Sequence, residues 1–267
     1  MSDIEQEWIF DWDQEAPELP KLDLIRHTPD PVKTACLAAR GDYYKGYVYE
    51  EPYEQVMEEA GQRKEERTDE EMTLEEKEAY LIKKCIRRGH YGILEHVSLT
   101  FGVKGMSRAC MAQITRHRLI SFDIQSQRYV DFSDVDQDQF HVPPSFEQSE
   151  VKSREGRKNI DMSKEERLDR YWDLVDQAVE FYNDMVDAGV PKEHARMGLP
   201  IGTRVNATMS MNLRHLLHIL DIRGAGDAQG EINYLAYQMA TETREAMPRI
   251  MEIYFDEMYM RKNRLSP

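Results

Sequence analysis

The sequence predicts a single domain of mixed α/β class, of the α+β kind, with a central sheet packed against long helices. Three observations predict it. Val97, Leu99, Phe101 and Val103 alternate with Ser98, Thr100, Gly102 and Lys104, the period-two pattern of a half-buried strand. Leu168, Tyr171, Trp172, Val175, Ala178, Tyr182 and Met185 recur instead at helical spacing. The 267 residues hold no internal repeat and are enough to bury one sizeable core, so residues 1–267 read as one domain.

The elements follow in order. Residues 1–30 are acidic, with Trp8, Trp12, Pro17 and Pro20 scattered among them, and read as an extended arm with a short strand near Leu22 to Arg26. Pro31 opens a helix to Arg40, because proline suits a first turn. Residues 50–79 are charge-dense and Glu-rich, either a solvated helix pair or a mobile insertion. Thr73 and Glu76 form a capping box for a helix to about Arg88, with Gly89 as its stop. After the strand at 97–103, Ser107 caps a helix expected to reach Arg118. On it Met106, Cys110 and Ile114 share one side, and Gln113 and Arg116 share a face.

Arg128, Val130 and Phe132 suggest another strand, and 147–164 a charged loop. Ser163 and Glu166 make a second capping box, and Gly189 with Pro191 closes the helix that follows. A short helix carries Glu193 and Arg196 and ends at Leu199-Pro200. Val205, Ala207, Met209 and Met211 alternate as a strand. Asn212 then caps a helix through Arg223, Asp227 caps one through Ala246, and Pro248 precedes the last.

Fifty acidic and 35 basic side chains leave a net charge of -15, which disfavours a nucleic-acid partner. No run of about 18 apolar residues exists, so no membrane span is expected. The acidic stretch Met1 to Asp13 lacks the basic start and apolar run of a secretory signal. Three cysteines without CxxC spacing argue against disulfides and a cysteine zinc site, and the cytoplasm is the expected compartment. High acidity with only 13 lysines against 22 arginines suits either concentrated salt, as in a halophile, or an ordinary acidic cytosolic protein.

The distribution of charge says more than its sum. Between Lys104 and Tyr129 stand Lys104, Arg108, Arg116, Arg118 and Arg128 against one acid, Asp123. Between Arg196 and Arg223 stand Arg196, Arg204, Arg214 and Arg223 against Asp221 alone. Such islands either salt-bridge to the chain's many carboxylates or grip a phosphate or carboxylate ligand. His215-x-x-His218 reads as one buried and one surface histidine on a helix rather than as a metal site, and Cys110 as a core residue. No GxGxxG or GxxxxGK[ST] supports a Rossmann or P-loop site.

The densest polar segment is Arg116-His117-Arg118, then seven residues, then Ser126-Gln127-Arg128-Tyr129. This pattern resembles the signature of the flavin-dependent thymidylate synthases. Three further blocks are similar to that family in order: Gly89-His90-Tyr91-Gly92-Ile93-Leu94-Glu95-His96; Glu193-x-Ala195-Arg196-x-x-Leu199-Pro200; and Asn212-x-Arg214 with Arg223, Ala228-Gln229 and Glu231-Ile232.

The resemblance implies the family's fold, a homotetramer with active sites between subunits, and conversion of dUMP to dTMP. It implies 5,10-methylenetetrahydrofolate as carbon donor, FAD as hydride carrier and NADPH as reductant. By matched position, Gln113, Arg116, Ser126, Gln127, Arg128, Arg196 and Arg223 would contact dUMP, with Gln125 as a possible substitute contact. Arg128 and Arg196 would take its phosphate, and Arg223 would stabilise the ionised N3 of uracil. Glu95, Arg116, His117, Arg118, Asn212, Arg214 and His218 would hold FAD, with the Gly92 backbone and position Ile124 beside it. His90 would lie near flavin and folate, and Ser126 would bind rather than attack. The sequence departs from the family in Asp123-Ile124 for a common Asn-Glu, Gly92 for a Ser or Thr, His218 for a frequent Asn, and Asp227 for a His.

Overall fold

The computed structural model describes residues 19–68, 70–147, 162–225 and 228–257. Four strands, β1 (Lys21–His27), β2 (Ser98–Ser107), β3 (Ser121–Ile124) and β4 (Arg204–Asn212), form one antiparallel sheet in the order β1-β2-β4-β3. One face is apolar. Leu22, Leu99, Phe101, Val103, Val205 and Met209 are buried on it, while Lys104, Asn206 and Thr208 of the alternate positions are exposed. Burying each such large side chain contributes about 1.5–3 kcal/mol. A bulge at Gly105 (φ 75°) shifts the β2–β4 register between Val103 and Met106, and the Gly105 N–H donates to Asn206 Oδ1 at 3.0 Å.

The helices are α1 (Pro31–Gly41), α2 (Tyr53–Met57), α3 (Gln62–Thr68), α4 (Leu74–Arg87), α5 (Arg108–Ile114), α6 (Pro144–Glu147), α7 (Lys164–Asp187), α8 (Lys192–Ala195), α9 (Leu213–Arg223), α10 (Gly230–Ala246) and α11 (Pro248–Glu257). Buried residues of α1, α4, α5, α9, α10 and α11 join the apolar face of the sheet in one core. Both predicted capping boxes form, at Thr73–Glu76 and Ser163–Glu166, and Asn212 Oδ1 accepts the His215 N–H at 2.9 Å. Residues 50–79 contribute α2 and α3. The buried Arg40 fastens α2 and the turn after it to α1, donating Nε to the Val56 carbonyl at 2.9 Å and Nη2 to Glu59 at 2.6 Å.

Two expectations fail. α5 ends at Ile114, not Arg118: the Thr115 N–H still reaches the Met111 carbonyl at 3.0 Å, after which the ladder tightens to bonds three residues back. Arg116 and His117 continue as a tight turn, their N–H groups donating to Gln113 and Ile114. The expected strand at 128–132 is also absent: the chain turns on Ser126, whose carbonyl accepts from Tyr129 and Val130. β3 lies earlier, pairing Ser121–Ile124 with β4. The arm's first 18 residues, most of the 147–164 loop and the Asp227 cap lie outside the described residues; Gln229 stands at the N-cap of α10 without a side-chain cap bond.

Candidate active site

The structure gathers the sequence-derived residues into three clusters. The first lies where the exit of α5 meets the last turn of α9. Arg223 is half-buried there. Its Nε donates to His117 Nε2 at 3.1 Å and its Nη2 to the Gln113 carbonyl at 3.4 Å. A guanidinium has no acceptor, so His117 must receive this bond through an unprotonated Nε2, and its proton sits on Nδ1. His117 is buried, with the rings of His215 and His218 packed against it at 5.9 and 6.1 Å between centroids. Burial first, then Arg223, His215, His218 and Arg116, pushes its pKa from 6.5 down to about 4. Asn233, fully buried on α10, donates Nδ2 to the Arg223 carbonyl at 2.9 Å. Gln113 donates its side-chain amide to Gln229. Arg116 is exposed, yet near enough to Arg223 to add to the burial that lowers its pKa.

The second cluster joins the turn at Ser126 to α8. Arg128 Nε lies 3.7 Å from Glu193 Oε2, and Arg196 Nε donates to the Glu193 carbonyl at 3.2 Å. Arg108, the first residue of α5, adjoins Arg196; burial, then that neighbouring charge, lowers its pKa. The motif blocks missed Arg108, and its presence in the first arginine island was the only signal for it. Ser126 Oγ accepts the Arg128 N–H at 3.2 Å. Gln127 is buried, and its Nε2 has no partner among the described residues.

The third cluster is the start of α9 against the 3-10 turn Tyr91–His96. Arg214 pairs with Glu95 and lies over the Tyr91 ring at 5.8 Å. His218 Nδ1 is buried without a partner among the described residues. A side chain at Gly92 would meet nothing within 4 Å, so its backbone faces open space. His90 and Arg118 are exposed. No hydrogen bond or ion pair links their side chains to another candidate among the described residues. Ile124 packs on the core, leaving only its backbone for a ligand. Gln125 is committed to β4, its Oε1 accepting the Asn206 N–H at 3.1 Å.

The salt-bridging alternative holds for Arg128 and Arg214. Among the described residues, no carboxylate lies within 4.0 Å of Arg108, Arg116, Arg118, Arg196 or Arg223. Unneutralised guanidiniums held together by a fold are suited to binding anions.

The chain is similar to several known proteins. The flavin-dependent thymidylate synthases of Haloarcula marismortui and Halobacterium salinarum are 42% and 38% identical to this chain, covering 91% and 92% of it and 98% and 100% of their own lengths. The concentrated-salt expectation fits these two sources. The crystal structure of a UMP/dUMP methylase, PolB from Streptomyces cacaoi, bound with 5-Br dUMP, is similar in fold. Its TM-score is 0.69 at 23% identity, over 89% of this chain and 95% of that one. Residues 23–249 match the family described as Thymidylate synthase complementing protein. On that match and these identities, the chain belongs to the flavin-dependent thymidylate synthase family.

Proposed function

We propose that the protein converts dUMP to dTMP in the cytoplasm, taking its carbon from 5,10-methylenetetrahydrofolate, with FAD as hydride carrier and NADPH as reductant. The observation that carries this reading is the grouping of Arg108 with Arg196, and of Arg116 with Arg223, without neutralising acids among the described residues. The residues present fit a flavin dinucleotide. Arg118 and Arg214 offer positive charge for its pyrophosphate, and the unpartnered His218 Nδ1 offers a hydrogen-bonding position. When bound, FAD supplies the hydride chemistry. The chain's own part is binding and electrostatics. Arg108, Arg128 and Arg196 hold the dUMP phosphate, and Arg223 keeps a fixed cation beside uracil N3 as it gives up its proton. A preformed charge facing a developing anion is worth several kcal/mol in a dry site. Ser126 serves as a binding group, its hydroxyl already accepting the Arg128 N–H.

The site is completed in a homotetramer, with residues of neighbouring subunits closing it. Leu119, Tyr129, Met197 and Ile201 are between 71% and 83% exposed and flank the arginine segments, an apolar rim that a second copy would cover. Incubating the purified protein with FAD, dUMP, the folate and NADPH should yield dTMP, and UMP or dCMP in place of dUMP should yield far less methylated product. No dTMP from protein that has bound FAD would refute the reading. Light scattering on the purified protein should give four protomers, and a fully active monomer would exclude shared sites.

A further inference from the structure

Every copy of Arg223 needs something to aim it. A guanidinium at the end of a helix swings on three methylenes, and a fixed cation is useful only if it does not have to be oriented during the reaction. Its carbonyl is held by Asn233, but that fixes the backbone and not the side chain. On the side chain, Nη2 meets the Gln113 carbonyl at the long distance of 3.4 Å, whereas Nε meets His117 Nε2 at 3.1 Å. The His117 ring is itself immobilised, buried and wedged edge-on against His215 and His218, which lie 5.8 Å from each other.

We propose that His117 is the positioning residue for Arg223: its unprotonated Nε2 takes the Nε–H and thereby turns the outer nitrogens of the guanidinium toward the substrate. This rests on the reading that Arg223 faces the uracil ring. It assigns to His117 a task beyond holding flavin, because its Nε2 is already used and only Nδ1–H is left for another partner. The device works only with a neutral ring. The groups facing His117 are Arg223, His215 and His218 from α9 and Arg116 beside it in the chain, and they disfavour a charged imidazole, as burial does. Protonation would replace the hydrogen bond with a repulsion between two cations.

Three variants and one double variant test this. H117F keeps the ring's bulk and removes the acceptor. H117Q places an amide oxygen near the position of Nε2. R223A and H117F/R223A complete a double-mutant cycle, which isolates the coupling between the pair. At saturating FAD, H117F should lower kcat about tenfold, with the KM for dUMP within about twofold of wild type, whatever FAD affinity (from flavin absorbance) it retains. H117Q should recover most of the loss. In the R223A background H117F should cost nothing more.

An H117F enzyme as fast as wild type overturns the proposal. So does an H117F loss equally large with and without Arg223, or a loss that follows FAD release and that H117Q does not repair. Near-normal turnover by R223A would instead sink the underlying role of Arg223, so the two failures are distinguishable. Should H117F not fold, H117Q against H117N decides: the longer amide reaches the Nε2 position and the shorter does not, and equal rates for the two overturn the proposal.

Discussion

The two arginine-bearing regions of the site are built differently. Around Arg223 the chain itself supplies the holding groups: His117 and the Gln113 carbonyl from the exit of α5 and Asn233 from α10, and the side chains of His117 and Asn233 are buried. Around Arg128 and Arg196 the chain turns on backbone hydrogen bonds, Arg128 is exposed, and one glutamate, Glu193, touches both cations. In the first region the guanidinium is already hydrogen-bonded to buried groups of the chain itself. The second is set on an open rim, next to the exposed Tyr129 and Met197. The proposed mechanism accordingly assigns chemistry that depends on a fixed charge to the first, and capture of a phosphate, which tolerates adjustment, to the second.

The largest test of that division is R223A. It should cut kcat by about 10²–10³, the ~2.7–4 kcal/mol lost with one preorganised electrostatic group. A rise in KM alone, with kcat intact, would make the two regions alike. Next comes Glu231, 1% exposed on α10, which accepts the Ser107 N–H at 2.7 Å and also the Ser107 hydroxyl. Ser107 Oγ in turn accepts the Cys110 N–H at 3.0 Å and caps α5, the helix that starts with Arg108 and leads out to His117. E231A strands those buried donors and should lower unfolding stability by about 1–3 kcal/mol in denaturant titration, with E231Q intermediate. Wild-type stability in E231A would mean that α5 does not depend on this anchor.

R108A should raise the KM for dUMP about tenfold, roughly 1.4 kcal/mol, and leave kcat nearly unchanged, as expected of uniform binding. A fall in kcat instead would move Arg108 into the first region. The gentlest probe is pH. His117 is depressed from 6.5 to about 4, and burial lowers His215 and His218 as well. Between those values the unfolded chain binds protons that the folded chain refuses, so stability is full above about pH 6.5 and falls as pH drops toward 4. H117Q should show a shallower decline over that window in thermal melts; an unchanged slope would show that His117 titrates normally.

How much of this was legible in the sequence depended on distance along the chain. The capping boxes at Thr73–Glu76 and Ser163–Glu166, the Asn212 cap, and the alternation in β2 and β4 are local signals, and the structure contains all of them. β3 was missed because it is four residues long with only Phe122 and Ile124 half-buried, too short a pattern to register. The end of α5 was missed because no glycine or proline between Ile114 and Ile120 marks it. The motif blocks named Arg196 and Arg223 but could not show that Arg108 adjoins the first, or that His117 grips the second, since those contacts close loops of about a hundred residues.

The bulge at Gly105 has a consequence for the whole arrangement. Strict alternation after Val103 would bury Gly105 and Ser107 and turn Met106 outward; the shifted register instead sinks Met106 and Ser107 together at the strand's end. Glycine takes a φ of 75° at little cost, so a side chain at that point would strain the turn that seats Ser107 on Glu231 and, with it, the first turn of the helix that begins at Arg108.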